Sequence, residues 1–204
     1  MNAEAERWEE RFRQEGYWAG TEPADFLRES LPLLPRPGCA LELAMGEGRN
    51  AVFLAQHGWR VTGVELTGAG LDKTETLARE KGVKVWRGAP GTRANVPAAP
   101  CVLLLQADLE TYALPRGQFD LVLCVNFLLR PLLENIPHAL RKGGMLLYET
   151  YTLEQLHFSG GPRSPEFLLR PGELREAFSG MDILFYRECN AGKGMASVLA
   201  RRRP

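Results

Sequence analysis

The sequence lacks an excess of charge of either sign. Its 204 residues include 25 Lys and Arg against 25 Asp and Glu, so the formal net charge is zero. A balanced chain carries no overall field that would recruit nucleic acid or an anionic membrane surface. The basic run at 201–203 is typical of a solvated chain end. We therefore expect no nucleic-acid partner and no membrane partner.

Cysteine and histidine are also scarce. The four cysteines, Cys39, Cys101, Cys124 and Cys189, lie far apart, with no C-x-x-C pair and no histidine at ligand spacing. A structural metal site needs such ligands at set offsets, and disulfide frameworks are typical of small secreted chains. We predict buried, reduced thiols and no metal site.

Long apolar runs are absent. No stretch approaches the length of a membrane span, and residues 1–14 are charged and lack the apolar core of a signal peptide. We expect a cytoplasmic location. The length fits a single domain over residues 1–204. Nothing in the sequence indicates the oligomeric state.

Strand and helix patterns alternate along most of the chain. An N-terminal helical segment, 1–36, contains predicted helices at 4–15 and 23–34. Predicted strands at 39–44, 59–65, 83–86, 119–125 and 145–150 then alternate with predicted helices at 50–57, 69–81 and 131–140. Such alternation predicts crossover connections and a parallel sheet with helices on both faces. The Pro- and Gly-rich stretch 87–100, which precedes a second apolar run, CVLLLQ, is predicted to be a loop insert.

The C-terminal part has a different pattern. After a predicted helix at 171–178, two strand-like runs, MDILFYREC and MASVLARR, are separated only by NAGKG, which predicts an antiparallel hairpin. The predicted fold is therefore α/β, with a Rossmann-like, seven-stranded, mostly parallel sheet that ends in this hairpin.

The stretch LELAMGEGRN, residues 41–50, has two glycines between an apolar run and a helical pattern. Gly46 and Gly48 let the chain turn sharply and present N–H groups to a nucleotide-like ligand at a helix N-terminus. Gly46-x-Gly48-x-x-Ala51 also fits the dinucleotide fingerprint, with Glu65 placed to bind a ribose. An NAD(P)-dependent oxidoreductase is therefore one alternative.

Three features favour S-adenosylmethionine (SAM) instead. Glu42 stands inside the predicted strand, where a dinucleotide fold normally has an apolar residue, and a carboxylate there suits the ammonium of SAM. Asp108 follows an apolar run and suits the exocyclic amine of adenine. The terminal hairpin is foreign to most dinucleotide folds.

The series Glu42-x-Ala44-x-Gly46-x-Gly48, Glu65, Asp108, Phe119-Asp120 and Gly143-Gly144 resembles the successive motifs of class I SAM-dependent methyltransferases. The stretch GEGRNAVFLAQHGWRVTGVE is similar to the tellurite-resistance methyltransferase branch. The resemblance implies that residues 42–48 cradle the methionine part, Glu65 binds the ribose, and Asp108 with Leu109 meets adenine. The full implied cofactor-binding set is Glu42, Ala44, Gly46, Gly48, Glu65, Leu66, Asp108, Leu109 and Asn126. Ala44 replaces the usual first glycine, which is tolerated if its φ is negative.

Each of these residues also has a purely structural interpretation. Glu42 would pair with a nearby base, Glu65 would be a surface acid, and Asp108 would cap a short helix. Asn50, beside Arg49 in the first helical turn, would satisfy free N–H groups there. The aromatic residues Trp8, Tyr17 and Trp18 fit either ordinary packing or a lid over the cofactor.

The acceptor side contains few residues suited to catalysis. The strand ends and the loop after them supply the candidates Asn126, Glu149, Tyr151 and His157, with no Ser-His-Asp set and no metal cluster. Glu149 or His157 would be the general base, if one is used. So small a set suits a soft or already anionic small molecule, such as a thiol or a metalloid oxyanion. A non-catalytic SAM-binding module is a further alternative.

Overall fold

The computed structural model describes residues 3–89 and 99–204. The chain divides into two compact units, one made of Met1–Arg28 with Arg36–Ala113 and the other of Glu29–Pro35 with Leu114–Pro204. The single domain expected from the sequence stays a prediction. Residues 90–98, most of the predicted insert, lie outside the described residues.

The first unit contains a parallel sheet with helices after its strands. Its strands pair in the order β3-β4-β2-β1, and β2 lies between β1 and β4 in continuous register. β1 is buried along nearly its whole length, as expected for a strand covered on both faces. The elements are α1 (Ala3–Arg13), α2 (Asp25–Ser30), β1 (Cys39–Leu43), α3 (Arg49–Gln56), β2 (Arg60–Glu65), α4 (Gly68–Glu80), β3 (Val85–Gly88) and β4 (Cys101–Gln106).

The second unit contains the C-terminal strands. β5 and β6 are parallel, whereas β8 runs antiparallel to both β6 and β7, so the predicted hairpin is present. Its strand order is β5-β6-β8-β7. The elements are β5 (Phe119–Val125), α5 (Arg130–Leu133), α6 (Ile136–Ala139), β6 (Leu140–Tyr151), α7 (Glu173–Ala177), β7 (Asp182–Cys189) and β8 (Met195–Arg201), with 3₁₀ turns at Leu31–Leu33, Leu153–His157 and Pro165–Phe167.

The described residues form eight strands, so the prediction of seven is wrong. Each unit contributes four of them: the strands of the first unit are all parallel, whereas those of the second are mixed. The additional strand is β4, formed by the apolar run CVLLLQ, which the sequence analysis did not count as a strand and which pairs with β2 and with β3. Both VWRG and CVLLLQ form strands. Arg87 and Gly88, the first two residues of the predicted insert, therefore belong to β3.

Proline shortens two predicted helices. The pattern at 131–140 becomes the two four-residue helices α5 and α6, each with a proline in its first two positions, and Leu140 already belongs to β6. Proline has no N–H to donate within a helix, so each proline favours a new start. The predicted helix 23–34 is α2 followed by a 3₁₀ turn that contains Pro32.

The cores of both units are built from large apolar side chains. Trp59, Leu41 and Leu43 are almost fully buried in the first unit, and Tyr148 packs against Phe178 in the second, with ring centroids 5.9 Å apart. Among the cysteines, Cys101 and Cys124 are buried, as predicted, whereas Cys39 and Cys189 are partly exposed. Within residues 3–89 and 99–204, the helices are all too short or too polar to cross a membrane.

Candidate functional site

The turn after β1 has a backbone of unusual shape. Ala44, Gly46 and Gly48 all have positive φ, at 51°, 60° and 82°. The N–H groups of this turn have different partners: Met45 donates to the Val64 carbonyl oxygen, Gly46 to the Glu65 carboxylate and Gly48 to the Met45 carbonyl oxygen. Because its φ is positive, Ala44 does not meet the condition of negative φ under which alanine would replace the usual glycine without strain. A left-handed alanine costs about 1–2 kcal/mol, because its Cβ crowds the following carbonyl oxygen.

Glu65, the last residue of β2, is bound to this turn. Its carboxylate accepts hydrogen bonds from the Gly46 N–H at 2.8 Å, the Thr67 N–H at 2.9 Å and the Thr67 hydroxyl at 2.7 Å. Only 6% of Glu65 is exposed. Burial raises the pKa of Glu65, and these hydrogen bonds oppose that rise. Glu65 is therefore a buried anchor of the loop, and the interpretation as a surface acid is wrong.

Glu42 is the most unusual carboxylate of the first unit. It is 2% exposed, and its Oε1 accepts a hydrogen bond from Asn50 Nδ2 at 2.9 Å. Oε2 is buried and has no hydrogen-bond partner among the described residues. Burial raises the pKa of Glu42 to about 8, although Asn50 and the charge of Arg49 oppose the rise. The described residues form no ion pair with Glu42, so the interpretation as half of a salt bridge is wrong.

Helix α4 begins very close to the glycine turn. A Cβ added to Gly70 would lie 2.9 Å from the Gly46 carbonyl oxygen, and one added to Gly48 would overlap Thr74. Thr67 caps the helix by accepting a hydrogen bond from the Gly70 N–H at 3.2 Å. The glycines at 48 and 70 thus permit an approach that any side chain would prevent.

Helix α1 lies beside the same turn. Phe12 Cζ is 3.5 Å from the point where a Cβ on Gly46 would lie, and Trp8 packs against Phe12 with ring centroids 5.3 Å apart. The guanidinium of Arg11 lies over Trp8 at 4.6 Å and over Trp18 at 4.2 Å. The contacts of α1 thus bring Trp8 near the loop, whereas Trp18 is 61% exposed. Their role as a lid stays a prediction.

Polar side chains of the loop hold the segment that follows α1. Glu47 Oε2 accepts a hydrogen bond from the Trp18 N–H at 2.6 Å, and Arg49 Nη1 donates to the Ala19 carbonyl oxygen at 2.9 Å. Asn50 Oδ1 accepts a hydrogen bond from the Ala24 N–H at 2.9 Å. Asn50 therefore does not act as a cap for α3. The sequence analysis did not predict a role for Glu47. The signal that could have indicated one is the position of this charged residue between the two turn glycines, Gly46 and Gly48.

Asp108 and Leu109 follow β4. Leu109 is buried, and the half-buried Asp108 accepts a hydrogen bond from the Glu110 N–H at 2.9 Å, so the capping interpretation describes one of its oxygens. The Ala107 N–H donates to the Glu65 carbonyl oxygen at 2.9 Å, and Gln106 Nε2 donates to that of Leu66 at 3.2 Å. Glu42, Glu65 and Asp108 thus lie at the carboxyl ends of the neighbouring parallel strands β1, β2 and β4.

The acceptor-side candidates all belong to the second unit. Asn126 has a φ of 59°, and its N–H donates to the Glu149 carbonyl oxygen at 2.8 Å. The Glu149 side chain is buried and accepts a hydrogen bond from Ser197 Oγ at 2.6 Å, with Arg187 Nη2 3.9 Å away. Ser197 and Arg187 were not predicted from the sequence.

Tyr151 and His157 differ in exposure. Tyr151 ends β6 and is half-buried, whereas the side chain of His157 is 74% exposed and lies 4.0 Å from Glu154 in a 3₁₀ turn. That exposure favours the interpretation of His157 as a surface residue. Nowhere in residues 3–89 and 99–204 do three or more His, Cys, Asp or Glu residues cluster in a way that would hold a metal ion.

Residues 41–148, more than half of the chain, match the model of a family described as a methyltransferase domain. The chain belongs to this methyltransferase family, and it is an enzyme that uses SAM as its cofactor. The buried, unpartnered Oε2 of Glu42 fits that cofactor, because it can accept a hydrogen bond from the SAM ammonium, whose positive charge would favour loss of the proton that burial retains on Glu42. A search of curated proteins finds no match.

Solved structures with the same fold share little sequence with this chain. One protein, from a study of the conversion of a disulfide bond into a thioacetal group during echinomycin biosynthesis, is 18% identical, with a TM-score of 0.68 over 98% of this chain and 92% of that one. A SAM-dependent methyltransferase from Mesorhizobium loti is 20% identical, with a TM-score of 0.63 and coverages of 88% and 98%. TehB from Haemophilus influenzae is 18% identical, with a TM-score of 0.67 and coverages of 96% and 67%. At these identities the likeness shows the fold alone.

Proposed function

We propose that this methyltransferase binds SAM at the turn formed by residues 42–48 and methylates a small, soft or anionic acceptor, such as a thiol or a metalloid oxyanion. The observation that carries the cofactor site is the buried Oε2 of Glu42. A buried carboxylate oxygen without a donor is costly unless a ligand supplies one. The SAM ammonium is a donor of the right charge.

The other residues have roles that follow from their positions. The positive-φ turn at Ala44, Gly46 and Gly48 would cradle the methionine part of SAM, and its Gly46 N–H already donates to a carboxylate, that of Glu65. Glu65 would bind the ribose, whose hydroxyls would add to or replace its bond from the Gly46 N–H. Asp108 would accept from the adenine amine, while Leu66 and Leu109 would supply apolar contact. Asn126 completes the proposed set.

The acceptor class follows from chemistry and from what the acceptor side lacks. When bound, SAM supplies an electrophilic methyl group on a sulfonium sulfur. The protein must then align a nucleophile and exclude water. Glu149 already accepts a hydrogen bond from Ser197, and His157 is largely exposed, so neither is arranged as a strong base. Thiolates and metalloid oxyanions present a lone pair without proton removal.

The tellurite-resistance branch is the finer assignment we propose within the family. It rests on the similarity of residues 46–65 to that branch and on the shared fold with TehB. Sulfur chemistry around the similar protein of echinomycin biosynthesis agrees with a thiol acceptor. We further propose a small-molecule partner, a cytoplasmic location, and no nucleic-acid or membrane partner.

The acceptor assignment is tested by counting methyl transfer from labelled SAM to a panel of thiols, selenite, tellurite, phenols, amines and carbon acids. We expect turnover with a thiol or a metalloid oxyanion. Turnover only with phenols, amines or carbon acids would contradict the proposed class. SAM binding without transfer to any member would favour the non-catalytic SAM-binding module, and NADH binding in place of SAM would favour the oxidoreductase.

A double variant, Glu149→Gln with His157→Asn, tests whether a base is needed. With the best acceptor, we expect the variant to keep SAM affinity and lose less than about 10²-fold in rate, since acid–base catalysis contributes about 10²–10⁴-fold. The control is Glu134→Gln with His138→Asn, which changes the same residue types at exposed positions away from Glu149 and His157. A rate loss near 10⁴-fold with intact SAM binding would show that a proton must be removed.

A further inference from the structure

The side-chain amide of Asn50 connects two distant parts of the first unit. Its Nδ2 donates to Glu42 Oε1 and its Oδ1 accepts from the Ala24 N–H, both at 2.9 Å. The residue is 4% exposed, so water does not readily replace either partner. Asn50 thus joins a buried carboxyl on β1 to the chain that enters α2.

These two bonds fix the orientation of the amide together. Rotation by 180° would place Oδ1 against the carboxyl oxygen of Glu42 and Nδ2 against the Ala24 N–H, so that acceptor faces acceptor and donor faces donor. The hydrogen bond from the Ala24 N–H to Asn50 Oδ1 therefore holds the amide in the orientation in which Asn50 Nδ2 donates to Glu42 Oε1. If either hydrogen bond is lost, the amide orientation that the other bond requires is held less firmly.

Residues 17–24, here called the strap, are held by hydrogen bonds to their backbone and by side-chain contacts of Tyr17 and Trp18. Glu47, Arg49 and Asn50 bind backbone groups of the strap with their side chains. Glu47 is in turn paired with Lys73 Nζ at 2.8 Å, and Lys73 also donates to the Gln14 carbonyl oxygen at 2.7 Å. The turn that follows β1 is therefore also the docking site of the strap.

We propose that Asn50 is a positioning residue that couples docking of the strap to cofactor binding. With Ala24 in place, Asn50 satisfies Oε1 of Glu42 and leaves Oε2 for the ammonium of the ligand. The inference rests on the proposed cofactor site. Arg49 and Glu65 are the other charged groups that act on Glu42. Coupling between two binding events is reciprocal. Ligand binding must therefore stabilise the docked strap by the same free energy by which the docked strap stabilises the bound ligand.

Hydrogen exchange of the strap amides, with and without S-adenosylhomocysteine (SAH), provides the first test. In the wild-type protein, we expect saturating SAH to slow exchange of the Ala24 N–H by at least about 5-fold, the lower end of usual coupling. SAH affinity is measured by calorimetry from pH 6 to pH 9 on the same samples.

The variant Asn50→Asp separates the two bonds, because its carboxylate still accepts from the Ala24 N–H but no longer donates to Glu42. We expect exchange of the ligand-free strap to stay close to wild type, the SAH-induced slowing to disappear, and SAH affinity to fall at least about 10-fold. Its affinity should also change with pH differently from wild type, because a second carboxyl faces Glu42. The matched control is Asn135→Asp, whose amide donates to Pro131 in the second unit.

Glu42→Gln keeps the proposal falsifiable if Asn50→Asp folds poorly, since Gln still accepts from Asn50 but offers no charge. We expect it to keep the ligand-free strap docked and to lose both SAH affinity and SAH-induced slowing. Unchanged strap exchange when SAH saturates the wild-type protein would overturn the coupling, as would full SAH-induced slowing in Asn50→Asp. Failure of wild-type protein to bind SAH at all would instead refute the proposed cofactor site.

Discussion

At the scale of single residues, the end of β1 and the turn after it contain two features that cost free energy of folding. Ala44 has a left-handed backbone, and Glu42 is buried with an oxygen that no described residue satisfies. Such costs cluster at functional sites, where the surrounding structure enforces them. Both residues were predicted to belong to the cofactor site, but their costs were not. Alanine is compatible with negative φ, and the burial of Glu42 depends on packing from elements far along the chain.

Replacement of Glu42 by Gln should stabilise the ligand-free protein more at pH 8 than at pH 5. The pKa of Glu42 is raised from an ordinary value near 4.5 to about 8, so the native state holds a proton that the unfolded chain releases in that range. The Glu42 contribution to stability is therefore fully present below about pH 4.5 and is lost as pH rises toward 8, by up to about 1.4 kcal/mol per unit. Urea unfolding of both proteins at several pH values measures the difference. A difference that does not grow with pH would contradict this result.

Replacement of Ala44 by Gly should stabilise the fold by about 1 kcal/mol, because glycine adopts positive φ without crowding its Cβ. The gain is reduced by the larger entropy of glycine in the unfolded chain. Chemical denaturation measures it. Ala78→Gly in the interior of α4 is the control and should lose about 1 kcal/mol or more. Destabilisation of Ala44→Gly would show that the methyl group contributes packing that outweighs the strain.

At the scale of elements, the sequence predicted the alternation of strands and helices, the glycine turn and the terminal hairpin. Those features follow from local periodicity and turn residues. It did not count CVLLLQ, which forms β4, as a strand, because the predicted loop insert before this run interrupts the alternation of strand and helix patterns. The partners of Asn50 were also out of reach. They lie 8 and 26 residues away, and only the packed strands bring them together.

Addition of a Cβ at Gly46 should distort the turn after β1 and so weaken cofactor binding. Gly46→Ala places its methyl 3.5 Å from Phe12 and strains a φ of 60°, so we expect a modest loss of stability and a larger loss of SAH affinity. Gly82→Ala is the matched control, because its φ is 70° and no atom lies within 4 Å of the new Cβ. Calorimetric titration of both variants separates the effects. Equal SAH affinity in the two would contradict a binding role for the turn.

At the scale of the whole molecule, the eight-stranded mixed sheet and the family match define a SAM-dependent methyltransferase. Sequence motifs were sufficient for this class, since the residues proposed to bind the cofactor lie at or beside strand ends. The acceptor is less accessible to sequence reasoning. Folds host many chemistries, and the residues beside the candidate Glu149, Ser197 and Arg187, come from strands whose pattern only indicates a hairpin.

SAH should raise the thermal stability of the protein, whereas NADH should not. A ligand that binds only the native state at about 100 times its Kd adds about 2.7 kcal/mol. For a chain of this length that corresponds to roughly 5–10 °C in Tm. Scanning calorimetry with each ligand measures the shift, and one transition would support the single domain predicted from the sequence. A larger shift with NADH than with SAH would contradict the assigned cofactor.

Attachment of the strap through its backbone has an evolutionary consequence. A carbonyl oxygen or an N–H is present whatever the side chain, so most substitutions at Trp18, Ala19 and Glu22 leave their bonds intact. The residues that supply the side chains, Glu47 and Asn50, have no such freedom. Across related chains, we expect drift in the strap beside strong purifying selection on Glu47 and Asn50. The strap should therefore tolerate substitution where Glu47 and Asn50 do not, and changes on one side of the contact should seldom be accompanied by compensating changes on the other.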